Sequence, residues 1–543
     1  MKFLNFKSTA TAVAMLAPLL STASNESKPK KETKRPNILF CIADDASYHH
    51  FSKAGCTWVN TPNFDRVAND GLFFNRCYTP NAKSAPSRAV VLTGRYSWQL
   101  REAGNHNCNF PTDIKVFTEA LEDVGYSTGY TGKSWSPGYP GMKDGKPRLL
   151  TGTPYQEHKL TAPTKGMNAC DYASNFQDFL DAKDSDEPWF FWFGCYEPHR
   201  AYEYESGIKK GSKNINMIDE VPAFWDDNET VRTDMLDYGF EIENYDLHIG
   251  RMLDELEKRG ELDNTIVILT SDNGMPFPRC KANNYEYSCH MPMAIMWNDG
   301  IKNSGRTISD YVNFIDIAPT VLDAAGVGVN ESNTGMLSIT GRSLVPIMKN
   351  EQSEECKKER KVVYFGRERD DYGRPANQGY PIRAVMKDDV ILINNLKPYL
   401  YPAGNPEIGY PDVDGSPTKT DILTKHRTGE SSKLWNLSMG MRPSEELYDL
   451  KTDKYCVVNL ANSAEYAAIK EELKTLLHNK LEETKDPRLG ANADCFEYYR
   501  FNTDDKWNFY EKVTTGEIKE PWKQTGWINP TDYEQHPDNF KCK

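Results

Sequence analysis

Three short apolar runs constrain the fold most: Asn37 to Ala43, Trp189 to Gly194 and Thr265 to Thr270. None alternates polar with apolar positions, so each predicts a strand buried on both faces, as in a mostly parallel sheet between helices. A polar motif follows each run: Asp44-Asp45, then Glu197-Pro198-His199-Arg200, then Ser271-Asp272-Asn273-Gly274. Sites in open α/β sheets form outside the carboxyl ends of strands, so these three motifs can converge on one place.

Helices fit the intervals. Phe117 to Val124 stops at Gly125, and Asp316 to Ala325 carries Pro319 near its start. Leu236 to Lys258 sets Leu236, Phe240, Ile249, Leu253 and Leu256 at roughly helical spacing and stops at Gly260. The alternation predicts a doubly wound α/β domain over 36–350, with a mostly parallel sheet between helices. Beyond the charged stretch Glu351 to Arg360 the texture changes. Short strands are expected at Val362 to Phe365, Arg383 to Met386 and Val390 to Asn394. An amphipathic helix follows from Glu465 to Glu483, with Asn462 or Ser463 as its cap. These elements predict a smaller α+β subdomain over 351–485, and 486–543, rich in Tyr, Trp and Pro, is expected to wrap the surface.

Lys2 and Lys7 precede the apolar run Ala10 to Leu20 and the small residues Ser21-Thr22-Ala23. This reads as a signal peptide over 1–23, followed by a polar, basic linker over 24–35. The run is too short to span a bilayer comfortably, and no later segment approaches the apolar length required. The expectation is an exported protein, periplasmic in a bacterium or secreted, with no integral membrane segment. No cysteine follows the run where a lipoprotein anchor would need one. A net charge of -13 argues against a nucleic-acid partner, so an anionic ligand would need basic residues gathered in one pocket. Twelve cysteines in an exported chain permit disulfides. Cys280 and Cys289 are the local pair to test, Cys41 reads as a buried thiol, and no cysteine spacing is of the zinc type.

Ser84-Ala85-Pro86-Ser87-Arg88, continuing to Thr93-Gly94-Arg95, places a hydroxyl beside a fixed cation at a helix entrance. Pro86 suits a first helical turn, Ala89 to Leu92 can bury an apolar stripe, and an anion is welcome near a positive helix end. Arg88 never titrates and can hold oxygens of a tetrahedral anion. The same pentapeptide also suits a capped surface helix with a snorkelling arginine. Asp44-Asp45 with Asp272-Asn273 offers three carboxylates and one amide oxygen, a hard set suited to calcium or magnesium. Asp44 and Asp45 alone also read as loop caps.

The Ser-x-Pro-x-Arg pattern with its Thr-Gly-Arg ending resembles the signature of the type I sulfatases. The resemblance implies an alkaline-phosphatase-like fold and oxidation of Ser84 to formylglycine by a cytosolic maturase before export. It assigns one calcium to Asp44, Asp45, Asp272, Asn273 and the modified residue at 84. It makes Arg88, Lys133 and Lys281 the sulfate clamp and His199 the acid that protonates the leaving group. Asp272 is expected to assist deprotonation of the formylglycine hydrate. Three departures stand out. Lys83 precedes the modified position, where the family usually has a smaller or apolar residue. Trp135 replaces the usual histidine two residues after Lys133, leaving His106 or His290 as candidates for the base that releases sulfate. Lys281 replaces an arginine of the nearest branch.

That branch is the heparan N-sulfatases, which Ser271 to Pro278, Pro198-His199-Arg200 and Gly379-Tyr380-Pro381-Ile382-Arg383 resemble. The likeness covers most of residues 36–480 and implies hydrolysis of an O- or N-sulfate on a glycosaminoglycan-like saccharide. Glu197, Arg200 and His290 are candidate substrate contacts. So are Glu368, Arg369 and Asp370 in a charged loop that otherwise reads as solvated. Two rival readings are a phosphatase or phosphonate-ester hydrolase of the same superfamily, and a non-catalytic glycan-binding relative.

Overall fold

The protein is described by a computed structural model covering residues 34–184 and 186–534, with Met1 and Leu4. The expected signal peptide over 1–23 and nearly all of the 24–35 linker lie outside the described residues.

The apolar runs form the sheet they predict. Its strands are β1 (Asn37–Ala43), β2 (Leu72–Phe74), β3 (Ser127–Gly132), β4 (Thr153–Pro154), β5 (Trp189–Gly194), β6 (Thr265–Ser271), β7 (Met293–Met296) and β8 (Arg306–Ile308). They lie in the order β8-β2-β7-β6-β1-β5-β3-β4. From β6 to β4 every pairing is parallel, while β7 runs antiparallel to both β6 and β2. Every residue of β1, β5 and β6 is buried, because both faces are covered. Ile38, Phe40 and Ile42 share a core with Ala89 to Leu92 of helix α1 (Ser84–Thr93). Leu39, Cys41 and Ala43 point the other way, into a core with Leu236, Tyr245 and Ile249 of helix α2 (Glu229–Arg259). Helix α2 starts seven residues before the expected Leu236, because the Asn228 side chain accepts from Val231 N at 3.0 Å and caps it there. It ends at Gly260, whose φ of 66° is the left-handed stop the sequence predicted.

A second sheet is antiparallel throughout: β9 (Val362–Arg367), β10 (Ile382–Lys387), β11 (Val390–Asn395) and β12 (Glu445–Asp449), paired in that order. Helix α3 (Ala467–Glu483) buries Leu473, Leu477 and Leu481. It begins after Tyr466 with no side-chain cap, since the turn from Ser463 to Tyr466 intervenes and leaves Asn462 and Ser463 outside. Val385, Leu392, Leu447 and Leu473 belong to the same core as Phe40 and Val90. The change of texture near 350 therefore marks a change of sheet within continuous packing. Residues beyond 485 also do more than wrap a surface. Phe501, Phe509, Ile528 and Tyr533 form a core with Tyr372 and Ile408, and Asp486 pairs with Arg383 at 2.7 Å.

Cys280 and Cys289 are both free thiols. The Cys289 thiol donates to Asn283 O at 3.6 Å. Cys41 is the buried thiol expected of it, and burial pushes its pKa up. Among the described residues no helix is long and apolar enough to cross a membrane.

Candidate active site

Because β1 and β6 are parallel neighbours, Asp44-Asp45 and Asp272-Asn273 leave the sheet side by side. Asp272 N donates to Ala43 O at 3.1 Å, and Asp45 N donates to Asp272 Oδ1 at 3.0 Å. Asp45 adopts φ 77°, a costly conformation for a residue with a Cβ. That bond and a 2.7 Å bond from Ala46 N to Ser271 Oγ hold it there.

Carboxylate oxygens of Asp44, Asp45 and Asp272 lie within 4.8 Å of one another, and all three side chains are buried. Each faces a cation. Lys133 Nζ lies 2.7 Å from both oxygens of Asp44, Lys281 Nζ 2.7 Å from Asp45 Oδ2, and Arg88 Nε 2.9 Å from Asp272 Oδ2. Burial alone would raise the Asp44 pKa, but Lys133 and His199 hold it below the ordinary value. Burial alone would lower the Lys281 pKa, yet Asp414 and Asp45 raise it. Three carboxylates against three cations make the cluster close to neutral. A divalent ion among these hard oxygens would leave excess positive charge, which an anionic ligand offsets.

Ser84 opens α1 at this cluster. Its Oγ lies 3.2 Å from Asp44 Oδ1, 3.5 Å from Asn273 Oδ1 and 3.2 Å from Lys133 Nζ. The reading of α1 as a surface helix fails, because every residue from Ser84 to Thr93 is buried. Arg88 does not snorkel; it also donates to Lys133 O at 2.9 Å.

Above the cluster is a cavity of about 390 Å³, on whose walls Ser84, Lys133, His199 and Lys281 meet. His199 Nδ1 lies 2.7 Å from Arg200 O, so it carries the hydrogen, leaving Nε2 3.2 Å from Lys281 Nζ and 3.8 Å from Asp45 Oδ2. Arg200 and Glu197 reach the cavity wall but are committed elsewhere. Arg200 makes a bidentate pair with Asp234 at 2.7 and 2.8 Å and lies over the Phe277 ring. Glu197 accepts from Asn168 N, Tyr172 Oη and Cys195 Sγ, and burial raises its pKa. Trp135, at the position of the absent histidine, donates its indole N–H to Ala85 O at 2.9 Å and braces the Ser84 turn.

Four candidates do not reach the cavity. Glu368 pairs with Arg383 and Arg488, each at 2.5 Å, and Arg369 donates to the backbone of Glu497 and Tyr499. Asp370 pairs with Arg367 at 2.6 Å. This charged run is thus buried ionic strutting between the second sheet and the C-terminal segment, neither solvated nor open to a sugar. His290 bonds Glu286 and stacks between Tyr48 and Tyr78, away from the cavity lining.

The cavity also draws on His106, one of the two candidate bases, and on residues the sequence reading did not assign. Lys83 Nζ lies 2.6 Å from Asp371, which also lies 3.0 Å from His106 Nδ1; burial lowers the His106 pKa to about 4. Asp414 holds Lys281 at 2.7 Å, and Trp527 forms part of the rim. The one local signal was Lys83, out of place before Ser84.

Comparison with known proteins agrees with this arrangement. The family profile described as Sulfatase matches residues 36–327, and that described as N-sulphoglucosamine sulphohydrolase, C-terminal, matches 280–379. An N-acetylglucosamine-6-O-sulfatase of Bacteroides thetaiotaomicron is 28% identical over 87% of this chain and 91% of its own length. The human N-sulphoglucosamine sulphohydrolase is 26% identical over 84% of this chain and 91% of its own. A solved structure in complex with its substrate D-glucosamine-2-N,6-O-disulfate shares the fold, with TM-score 0.59, 23% identity, and 83% of this chain and 99% of that one covered. The alkaline-phosphatase-like architecture, the strand-end cluster and these matches together place the chain in the sulfatase family, among the sulfuric ester hydrolases.

Proposed function

We propose that this protein is exported, to the periplasm or outside the cell, and removes sulfate from a glucosamine-containing, glycosaminoglycan-like saccharide. The observation that carries the reading is the position of Ser84 Oγ, 3.2 Å from both Asp44 Oδ1 and Lys133 Nζ at the floor of the cavity. The names of its relatives support the glucosamine class.

Asp44, Asp45, Asp272 and Asn273 would hold a calcium ion, which polarises a sulfate ester when bound. Formylglycine made from Ser84 by a cytosolic maturase would supply the nucleophilic hydroxyl. Lys133 and Lys281 offer ammonium groups to the anion, while Arg88 braces Asp272 and the Lys133 carbonyl from below. His199 is oriented by its bond to Arg200 O; once protonated, Nε2 can donate to the departing oxygen or nitrogen. Asp272 Oδ1 accepts from two backbone N–H groups and Oδ2 from Arg88, which fixes both oxygens of this carboxylate beside the proposed metal position.

The test joins two measurements. Mass of the Ser84 peptide from the native host should show the loss of two hydrogens, and defined glucosamine 2-N- and 6-O-sulfates should release sulfate. An unchanged serine would turn the reading toward a glycan-binding protein. Phosphate or phosphonate ester cleavage without sulfate release would turn it toward the rival hydrolases.

A further inference from the structure

The run Tyr48-His49-His50 and His290 lie outside the cleft. Glu286 opens the single helical turn Glu286–Cys289 and His290 follows it, so the two side chains share a face. His49, on the turn Tyr48–His50, reaches the same carboxylate. His49 Nε2 lies 3.8 Å and His290 Nδ1 2.5 Å from Glu286 Oε1, and one donor atom from each of the three residues falls within 4.8 Å of the others. The rings are fixed in place. His290 stacks between Tyr48 at 3.9 Å and Tyr78 at 4.6 Å, and His49 lies flat on Tyr287 at 4.0 Å.

His290 Nε2 is 3.1 Å from Asn75 O, and a carbonyl only accepts, so Nε2 carries the hydrogen. In a neutral ring, Nδ1 is then a bare lone pair aimed at a carboxylate oxygen 2.5 Å away. Two acceptors that close need a cation between them, either a proton or a metal. An imidazole whose far N–H is anchored on a carbonyl is the tautomer that presents a lone pair to a metal. Burial lowers the His49 pKa to about 4, which keeps that ring in its ligand form at neutral pH.

We propose that His49, Glu286 and His290 bind a divalent transition-metal ion of the zinc class, at a site separate from the acidic cluster around Asp45. Two imidazoles and a carboxylate suit zinc, whereas calcium prefers an all-oxygen shell. Zinc bonds of about 2.0–2.2 Å put tetrahedral ligands roughly 3.3 Å apart. The His290 contact must therefore open slightly and the His49 contact close slightly, both within reach of side-chain torsions. Solvent can supply the fourth position, since 25% of the His49 side chain is exposed. The ion would tie the loop that follows Asp45 to the segment that follows the 272–274 motif.

The full-length protein, saturated with calcium to occupy the acidic cluster, should bind one zinc per chain at micromolar free Zn²⁺, read by titration calorimetry and elemental analysis. Zinc should also raise its melting temperature. His49→Ala removes a part-exposed ring and should weaken zinc at least tenfold, abolish the zinc-dependent rise in melting temperature and leave calcium content unchanged. His290→Gln should weaken zinc equally; if it fails to fold, His49→Ala alone decides. A wild-type protein that takes no zinc would overturn the proposal and leave a proton between Glu286 and His290. Unchanged zinc affinity in His49→Ala would overturn it as well.

Discussion

Lys133 grips Asp44 at two points, with Nζ 2.7 Å from each carboxylate oxygen. The two residues follow strands that are not neighbours, since β5 lies between β1 and β3. Lys133 spans that gap because its backbone closes onto the end of β5, where Lys133 N donates to Gly194 O at 2.7 Å.

That closure requires glycine. A Cβ at Gly194 would sit 1.8 Å from Lys133 O, far inside van der Waals contact, so Gly194→Ala must push the β3 end outward. Overpacking of this kind costs about 1–3 kcal/mol, and the displaced Lys133 would lose its grip on Asp44. The variant should melt several degrees lower and turn over substrate poorly. Unaltered melting and turnover would show that the closure does not position Lys133.

Among the described residues the Ser84 hydroxyl hydrogen-bonds with Asp44, Asn273 and Lys133, each at 3.2–3.5 Å. Ser84→Ala should therefore cost no more than about 1 kcal/mol of stability. Sulfate release should nonetheless vanish, because the side chain proposed to supply the nucleophile is gone. Chelation of the proposed calcium should silence the wild-type enzyme reversibly and leave the mass of the Ser84 peptide unchanged. Turnover by Ser84→Ala would remove this residue from the chemistry.

Sequence alone locates the strands that carry this site, and the reason is burial on both faces. The bounds of β1 and β5 match the apolar runs, and β6 extends its run by one residue to Ser271. The floor was legible too, since Asp44, Asp45, Asp272 and Asn273 each follow such a run. The walls were not. Asp371, Asp414 and Trp527 come from irregular segments with no periodicity, and only tertiary packing brings them to the cavity. Glu368 and Arg369 misled for a related reason. Their partners Arg488 and Glu497 lie 120 and 128 residues away, so local sequence showed charges without showing that they are buried and paired.

His248 gives a pH dependence with a definite sign. It is buried on α2, and burial first, then the Arg251 guanidinium, lower its pKa to about 4. Its folded pKa lies below the ordinary value of about 6.5, so between these limits the unfolded chain binds a proton that the native chain does not. Stability relative to a neutral side chain is thus full above pH 6.5 and lost as pH falls toward 4, by about 3 kcal/mol. Urea unfolding of wild type and His248→Gln at pH 7.5 and 4.5 should show the wild type losing more between the two. Parallel losses would mean that the ring protonates in the folded state.

Trp527 brings an indole to the lining of the cavity, held by a 2.8 Å bond from its N–H to Pro411 O and by edge packing on Tyr372. Such a ring can cover an apolar sugar face without touching the sulfate group. A contact made equally in the ground and transition states sets KM and leaves kcat alone. Trp527→Ala should accordingly raise KM for a sulfated disaccharide about tenfold, the equivalent of roughly 1.4 kcal/mol, with kcat little changed. Small aryl sulfates, which cannot reach the rim, should be hydrolysed as well as before. A fall in kcat at constant KM, or an equal loss on aryl sulfates, would place the effect of Trp527 on the catalytic floor through Pro411 and Asp414.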